Sequence, residues 1–384
     1  MSFQRSGVIS VALAILIALL AADPADAAFP GPNGKILFDT NRDGGFEIYV
    51  MNRDGTALTN ITNHPANDQF AAWSPCGTKI AFSSDRDGPG TSIYVANADG
   101  TGVERLTFFV GQIDFDPAWS PDGTKIVFES NRDDGNRDVF VMNADGSNQT
   151  RLTSSPAFDG RSSWSPDGTR IAFRSSRDGN GEIYVMGSDG AGQTNLTNNT
   201  AEDNLPNWSP DGSRIAFSSL RDGNSEIYVM NSDGNGQTRL TFSAGDDGAP
   251  AWSPDGLQIA FASNRDGNFE VYVMSADGTG QTNVTQNPAF DTLPDWGPKG
   301  ALEQVNDLIT LVQSLGLSQG IETSLIVKLQ HAAEAMAAGD ATGARDLIDA
   351  FIQEARAQSG KAILPDSSQL ISAANQIRAA IGCT

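Results

Sequence analysis

Trp208-Ser-Pro-Asp-Gly-Ser-Arg-Ile-Ala-Phe217, running on through Arg221-Asp-Gly-Asn-Ser-Glu-Ile-Tyr-Val-Met-Asn231 to Gln237-Thr-Arg-Leu-Thr241, decides the fold of this chain. Ser209-Pro210-Asp211-Gly212 carries hairpin chemistry, with proline pre-setting one φ and glycine relieving the exit. Ile215-Ala216-Phe217 and Ile227-Tyr228-Val229-Met230 are short β-type runs, apolar on both faces, as strands covered on both sides must be. Arg221-Asp-Gly-Asn224 between them is a second tight reversal, and Asn231-Ser-Asp-Gly-Asn-Gly236 a third. One such phrase therefore predicts four short antiparallel strands.

The phrase repeats. All six tryptophans, Trp73, Trp119, Trp164, Trp208, Trp252 and Trp296, share its register, at spacings of 46, 45, 44, 44 and 44 residues. That is the period of a propeller blade. The Ile-Ala-Phe-type strand also occurs six times, starting at Ile36, Ile80, Ile126, Ile171, Ile215 and Ile259. Lys35-Ile-Leu-Phe38 has no tryptophan strand before it, and Leu293-Pro-Asp-Trp296 has no Ile-Ala-Phe strand after it. The two ends complete each other as one blade, three strands from the N-terminus and one from the C-terminus, which hides the sheet edges and fixes the blade number at six. The recurring W-S-P-D-G, I-A-F, R-D-G and I-Y-V-M-N, from Lys35 to about Trp296, resemble the TolB-type, WD40-like propeller repeat. The departures are Cys76 in the first W-S-P-D-G turn, Trp296-Gly-Pro-Lys-Gly300 in the last, and Phe140 where most blades carry tyrosine.

After Gly300 the apolar period changes from 2 to 3.6. Leu302, Val305, Leu308, Ile309, Val312 and Leu315 fall on one helical face, stopped by Gly316. Ser318 is placed to cap a second helix, Asp340 or Thr342 opens a third, and Pro365-Asp366 a fourth. Four amphipathic helices make a small bundle. Ser314-Leu-Gly-Leu-Ser-Gln-Gly320, Ser324-Leu-Ile-Val-Lys-Leu329 and Ala350-Phe-Ile-Gln353 resemble the FIMAH-type module of secreted bacterial proteins, which implies attachment or interaction and no chemistry. The expected division is a signal peptide at 1–27, a propeller at 28–300 and a helical module at 301–384.

At the N-terminus, Arg5, the apolar run Val8 to Leu20 and Ala25-Asp-Ala27 form a secretory signal, so export to the periplasm or exterior is expected. No later run approaches the length of a membrane helix. A formal charge of −22 excludes nucleic acid as a partner class, since phosphates demand Lys and Arg. Two cysteines, Cys76 and Cys383, are no disulfide scaffold; inert thiols or a single bridge tying tail to propeller both fit the sequence.

The candidate binding residues are aspartates standing five positions before each tryptophan: Asp68, Asp114, Asp159, Asp203, Asp247 and Asp291. If the tryptophan strand is innermost, the six surround one channel mouth. Such a ring suits Ca²⁺ or the basic groups of a protein or peptide partner. Alternatively each caps the loop entering its strand. The Arg-Asp pairs beginning at Arg42, Arg86, Arg132, Arg177, Arg221 and Arg265 are expected to brace the blades. Gly316-Leu-Ser-Gln-Gly320 matches the nucleophile-elbow pattern, but a helix precedes Ser318 and no histidine lies beyond His331. With only His64 and His331 in the chain, no His-rich zinc site can be built. The resemblance implies a non-enzymatic binding protein of the envelope or exterior. Alternatives are a six-bladed hydrolase with a metal in the channel, which would need a non-uniform ring, and a structural surface protein anchored by the helical tail.

Overall fold

The computed structural model describes residues 31–108, 111–359 and 367–381. The expected signal sequence, Pro365-Asp366 and Cys383 lie outside the described residues. Six four-stranded antiparallel sheets form the six blades of a propeller. Blade 1 is the composite one: Asp291–Pro298 is its innermost strand, followed by Asn33–Thr40, Glu47–Met51 and Thr59–Asn60. Ile36 pairs with Trp296 and Thr40 with Asp291, so strands from opposite ends of the chain close the ring. Blades 2 to 6 begin with inner strands Asp68–Trp73, Asp114–Trp119, Asp159–Trp164, Asp203–Trp208 and Asp247–Trp252. Each inner strand packs against the inner strands of both neighbouring blades, and the one from blade 1 meets the one from blade 2.

The two-faced apolar strands do what their patterning requires. Each of six buried clusters combines one face of a blade with the facing side of the next. Between blades 4 and 5, Ala172 and Ile183 meet Trp208, Ile215, Phe217, Tyr228 and Met230. Phe217 and its five counterparts are fully buried. Truncating one to alanine is expected to cost about 3–5 kcal/mol. Because the same joint recurs six times, stability is distributed around the ring.

Every inner strand carries a bulge between its aspartate and its tryptophan; in blade 5 the register shifts between Asn204, opposite Ser218, and Asn207, opposite Ala216. The third residue of each inner strand sits in the left-handed region: Phe70 (φ 56°), Asp116 (54°), Arg161 (57°), Leu205 (53°), Ala249 (52°) and Leu293 (50°). A bulge adds one residue and so flips the parity of facing. This single irregularity governs the site.

Beyond Gly300, helices α1 (Ala301–Ser314), α2 (Gln319–Ala337), α3 (Ala341–Gln358) and α4 (Ser368–Ala380) enclose one core containing Leu308, Leu325, Leu329, Ile348, Phe351 and Ile377. Asp340 caps α3, accepting from the N–H of Gly343 at 2.9 Å. Ser318 holds the N-cap position of α2, but its hydroxyl makes no capping bond. That residue starts a helix, as its place between Gly316 and Gln319 requires. Cys76 is disulfide-bonded, which removes the inert-thiol alternative for it.

Candidate functional site

The bulge explains where the six predicted aspartates go. Five residues separate Asp68 from Trp73, so a flat strand would turn them to opposite faces. With one extra residue inserted they share a face, and the carboxylate turns toward the interblade joint. Asp68, Asp114, Asp159, Asp203, Asp247 and Asp291 are all 0–1% exposed. Each meets the arginine of its own blade: Arg86–Asp68 2.7 Å, Arg132–Asp114 2.8 Å, Arg177–Asp159 2.9 Å, Arg221–Asp203 3.0 Å, Arg265–Asp247 2.8 Å and Arg42–Asp291 2.9 Å. None of the six lines the central channel, and only Asp247 edges a hollow at its mouth. Among the described residues no three His, Cys, Asp or Glu side chains gather as a metal-ligating group.

The arginine predicted to brace blades works mainly within one blade. Arg221 donates to Ser219 Oγ at 2.7 Å, to Gln237 Oε1 at 2.7 Å and to Asp203, while its guanidinium lies over Phe217 and Tyr228. The link to the neighbouring blade passes through the glutamine, since Gln237 Nε2 donates to the Leu196 carbonyl at 3.2 Å. Tyr228 donates to Asp222, whereas blade 3 presents Phe140, which has no hydroxyl to donate. His64 sits in a loop, its Nδ1 accepting from the N–H of Ala66 at 3.2 Å.

What reaches the channel is the ring of bulge residues. Phe70, Asp116, Arg161, Leu205, Ala249 and Leu293 line a narrow cavity of about 150 Å³ that runs down to the six tryptophans. Side chains of the preceding blade hold several of these bulges by their N–H groups: Phe70 donates to Asp39 at 2.8 Å, Asp116 to Ser83 at 3.2 Å and Ala249 to Ser218 at 3.1 Å. The ring is not uniform, and neither is the position that supports it, occupied in blades 1 to 6 by Asp39, Ser83, Glu129, Arg174, Ser218 and Ala262.

Blades 2 to 4 crowd their half of the mouth with charge and rings. Arg161 lies 4.7 Å over Phe70 and reaches Asp116 only at 4.0 Å. Phe70 meets Phe115 edge-on at 5.3 Å, Arg137 covers Phe115, and Arg174 covers Phe158. Glu129, 1% exposed, pairs with Arg137 at 2.8 Å through one oxygen; its other oxygen has no partner. A Cβ at Gly160 would stand 2.1 Å from that second oxygen, so any other residue there would force the Glu129 carboxylate to shift. Burial, reinforced by the Glu129 charge and opposed by Arg161 and Arg137, raises Asp116 to about 7. Burial likewise lifts Asp39 well above the usual carboxylate range. At the ring closure Asp295 accepts from the N–H of Trp73 at 2.7 Å, and burial raises it to about 6. Blades 5, 6 and 1 leave their half open, as a hollow of about 420 Å³ bounded by Leu205, Leu220, Ala249, Phe269 and Leu293.

Comparison with known proteins agrees with this architecture. The family model described as the TolB beta propeller domain matches residues 24–114, 109–197, 175–247 and 243–302. The Tol-Pal system protein TolB of Geobacter sulfurreducens is 38% identical over 65 residues, 17% of this chain and 15% of that protein. The chain thus matches only a small part of that relative's length. TolB from Acinetobacter baumannii superposes with a TM-score of 0.63 at 24% identity, covering 74% of this chain and 70% of the other. A putative TolB from Agrobacterium tumefaciens gives 0.56 at 22%, covering 69% and 99%. At these identities the structural likeness shows the fold.

Proposed function

This chain belongs to the TolB beta propeller family, and from that premise we propose that it is a non-enzymatic protein-binding module, exported to the cell envelope or exterior, that docks a protein partner on the face bearing the channel mouth. One observation carries the reading: within a frame otherwise repeated six times the inner ring varies as Phe, Asp, Arg, Leu, Ala and Leu, one carboxylate among apolar, aromatic and guanidinium groups and not the cluster of ligating side chains that a channel-metal hydrolase would need. A repeated frame maintains the ring; a varied position at its mouth gives one partner one orientation. Aromatic and arginine side chains also dominate the centres of protein interfaces. Here Phe70, Phe115 and Phe158 each lie under an arginine, and Phe108 and Phe242, 67% and 72% exposed, lie beneath Arg105 and Arg239. The opposite end of the blades is built from repeated Asp-Gly turns such as Asp233-Gly234, whose carboxylates bond their own backbone. No helix among the described residues is long and apolar enough to cross a membrane.

The test is photo-crosslinking in envelope and culture-fluid extracts, with and without Ca²⁺. A benzoylphenylalanine replaces Leu205 or Phe108 on the mouth face, Thr279 in a turn at the opposite end, or Val327 on the helical bundle. Adducts to a common protein from the first two positions alone are expected. Adducts only from Thr279 or Val327 would overturn the assignment of the docking face. Adducts that require Ca²⁺ would bring a cation into the reading.

A further inference from the structure

We propose that the channel mouth holds a carboxylate-binding subsite centred on Arg161, beside a hollow with one apolar wall, and that together they receive the free C-terminal end of a partner chain whose last residue is apolar. This deepens the reading of the mouth as the docking face and rests on it.

Arg161 differs from the six ring-bracing arginines in having spare capacity. Its Nη1 is buried without a hydrogen-bond partner, and its one carboxylate neighbour, Asp116, stands at 4.0 Å, beyond hydrogen-bond reach. Stacking on Phe70 fixes the plane of the guanidinium, so little side-chain entropy is lost when a ligand arrives. One strand back on the same blade, Arg174 has an equally unpartnered buried Nε, while its Nη2 is held by Glu202 at 2.7 Å. Two unused guanidinium donors on one blade are a costly arrangement unless an anion completes them. Most acceptors nearby are already engaged, the second Glu129 oxygen being the exception. Glu129 is paired with Arg137, Glu202 also accepts from the N–H of Gly181 at 3.0 Å, and Asp246 from that of Ser225 at 3.0 Å. Asp116, facing Arg161, Glu129 and Arg137, competes only weakly for the guanidinium until it ionises.

Next along the ring the wall changes character. Leu205, Ala249 and Leu293 give the hollow of about 420 Å³ an apolar wall, Gly248 has no side chain to fill it, and Glu202, Asp246 and Asp247 border it as well. Leu205, Ala249 and Leu293 border both the channel that Arg161 lines and the hollow, so a ligand with a carboxylate beside an apolar group meets both walls. The throat of six converging inner strands is narrow, about 150 Å³ between the bulge residues and the six tryptophans. A chain end enters it directly, whereas a mid-chain segment would have to fold back as a loop.

The experiment titrates the full-length exported protein by calorimetry with three peptides: acetyl-Gly-Ser-Leu with a free carboxylate, the same peptide amidated, and amidated acetyl-Gly-Leu-Glu-Gly, which carries its acid inside the chain. The free acid should bind at least about tenfold tighter than either of the others, the scale of a charged hydrogen-bonded contact. Arg161→Gln should bring the acid down to the level of the amide. Ala249→Leu, which places in blade 6 the residue that blades 5 and 1 already carry at the same φ, should abolish binding by filling the hollow. Thermal melts confirm that both variants are folded. Equal binding of acid and amide, or Arg161→Gln binding the acid as the unaltered protein does, would overturn the carboxylate subsite. Equal binding of the internal acid would overturn the chain-end assignment. If no peptide binds while Leu205 still crosslinks a partner, the subsite fails and the docking face stands; if both are absent, both fail.

Discussion

Two rings of six residues lie two positions apart on the same inner strands, and they behave as opposites. The first is Asp in every blade, fully buried, each carboxylate held by an arginine of its own sheet. The second reads Phe70, Asp116, Arg161, Leu205, Ala249, Leu293 and lines the channel; its Arg161 Nη1 has no partner, as one oxygen each of Asp68, Asp114 and Asp159 in the first ring has none. In a repeat protein the invariant position is the one every blade needs in order to fold, and the varied position is free to be specific. The side chain that looks most like a ligand in one repeat is therefore the least informative about binding when all six repeats carry it.

The comparison can be broken by experiment, and the largest effect belongs to the uniform ring. Asp203→Ala strands Arg221 without its carboxylate, and urea unfolding should show a loss of about 3–5 kcal/mol. Arg161→Gln, by contrast, should leave the unfolding midpoint nearly unchanged, since that side chain has few bonds to lose. A comparable loss in both variants would erase the distinction.

Asp116 supplies a test within the varied ring. Its folded value of about 7 lies above the ordinary aspartate value of 3.8, so the folded state holds the proton more tightly than the unfolded chain. The stability it contributes is full below about 3.8 and is lost as pH rises through about 7. Asp116→Asn should accordingly melt about 2–4 °C higher than the unaltered protein at pH 8 and nearly level with it at pH 4. The same ionisation sets Asp116 against an incoming carboxylate for Arg161. The free-acid peptide should therefore bind a few-fold more weakly at pH 8 than at pH 6.

The smallest expected effect concerns blade 3. Phe140→Tyr restores the hydroxyl that Tyr94, at the same separation from its hairpin aspartate Asp87, donates in blade 2. A gain of about 0.5–1 kcal/mol in urea unfolding is expected. No gain would mean that the Asp133 hairpin is set differently.

Much of this architecture could be read from residues alone. Tryptophan spacing gave the blade period, and the unmatched Lys35-Ile-Leu-Phe38 and Leu293-Pro-Asp-Trp296 ends gave the clasp, which the pairing of Ile36 with Trp296 bears out. The aspartates were visible too, but their facing was not. Period-2 reasoning assumes an unbroken strand, and a bulge whose third residue is Leu, Phe or Arg at positive φ leaves no glycine to announce itself. A signal for the varied ring does exist: Phe70, Asp116, Arg161 and Leu205 change between the constant aspartate and the constant tryptophan of each inner strand, and Glu129 and Arg174 interrupt the Ser-Ser that follows Ile-Ala-Phe in blades 2 and 5. Reading it requires asking where a repeat fails to repeat.

The measurement that tests this division most directly is capture of the mouth-crosslinked partner by Asp203→Asn and Arg161→Gln in parallel, below the melting temperature of both. Asp203→Asn should melt lower yet capture the partner normally, while Arg161→Gln should melt normally and capture at least about tenfold less. Loss of capture in Asp203→Asn together with full capture by Arg161→Gln would contradict that division, and would return the binding role to the uniform ring of aspartates.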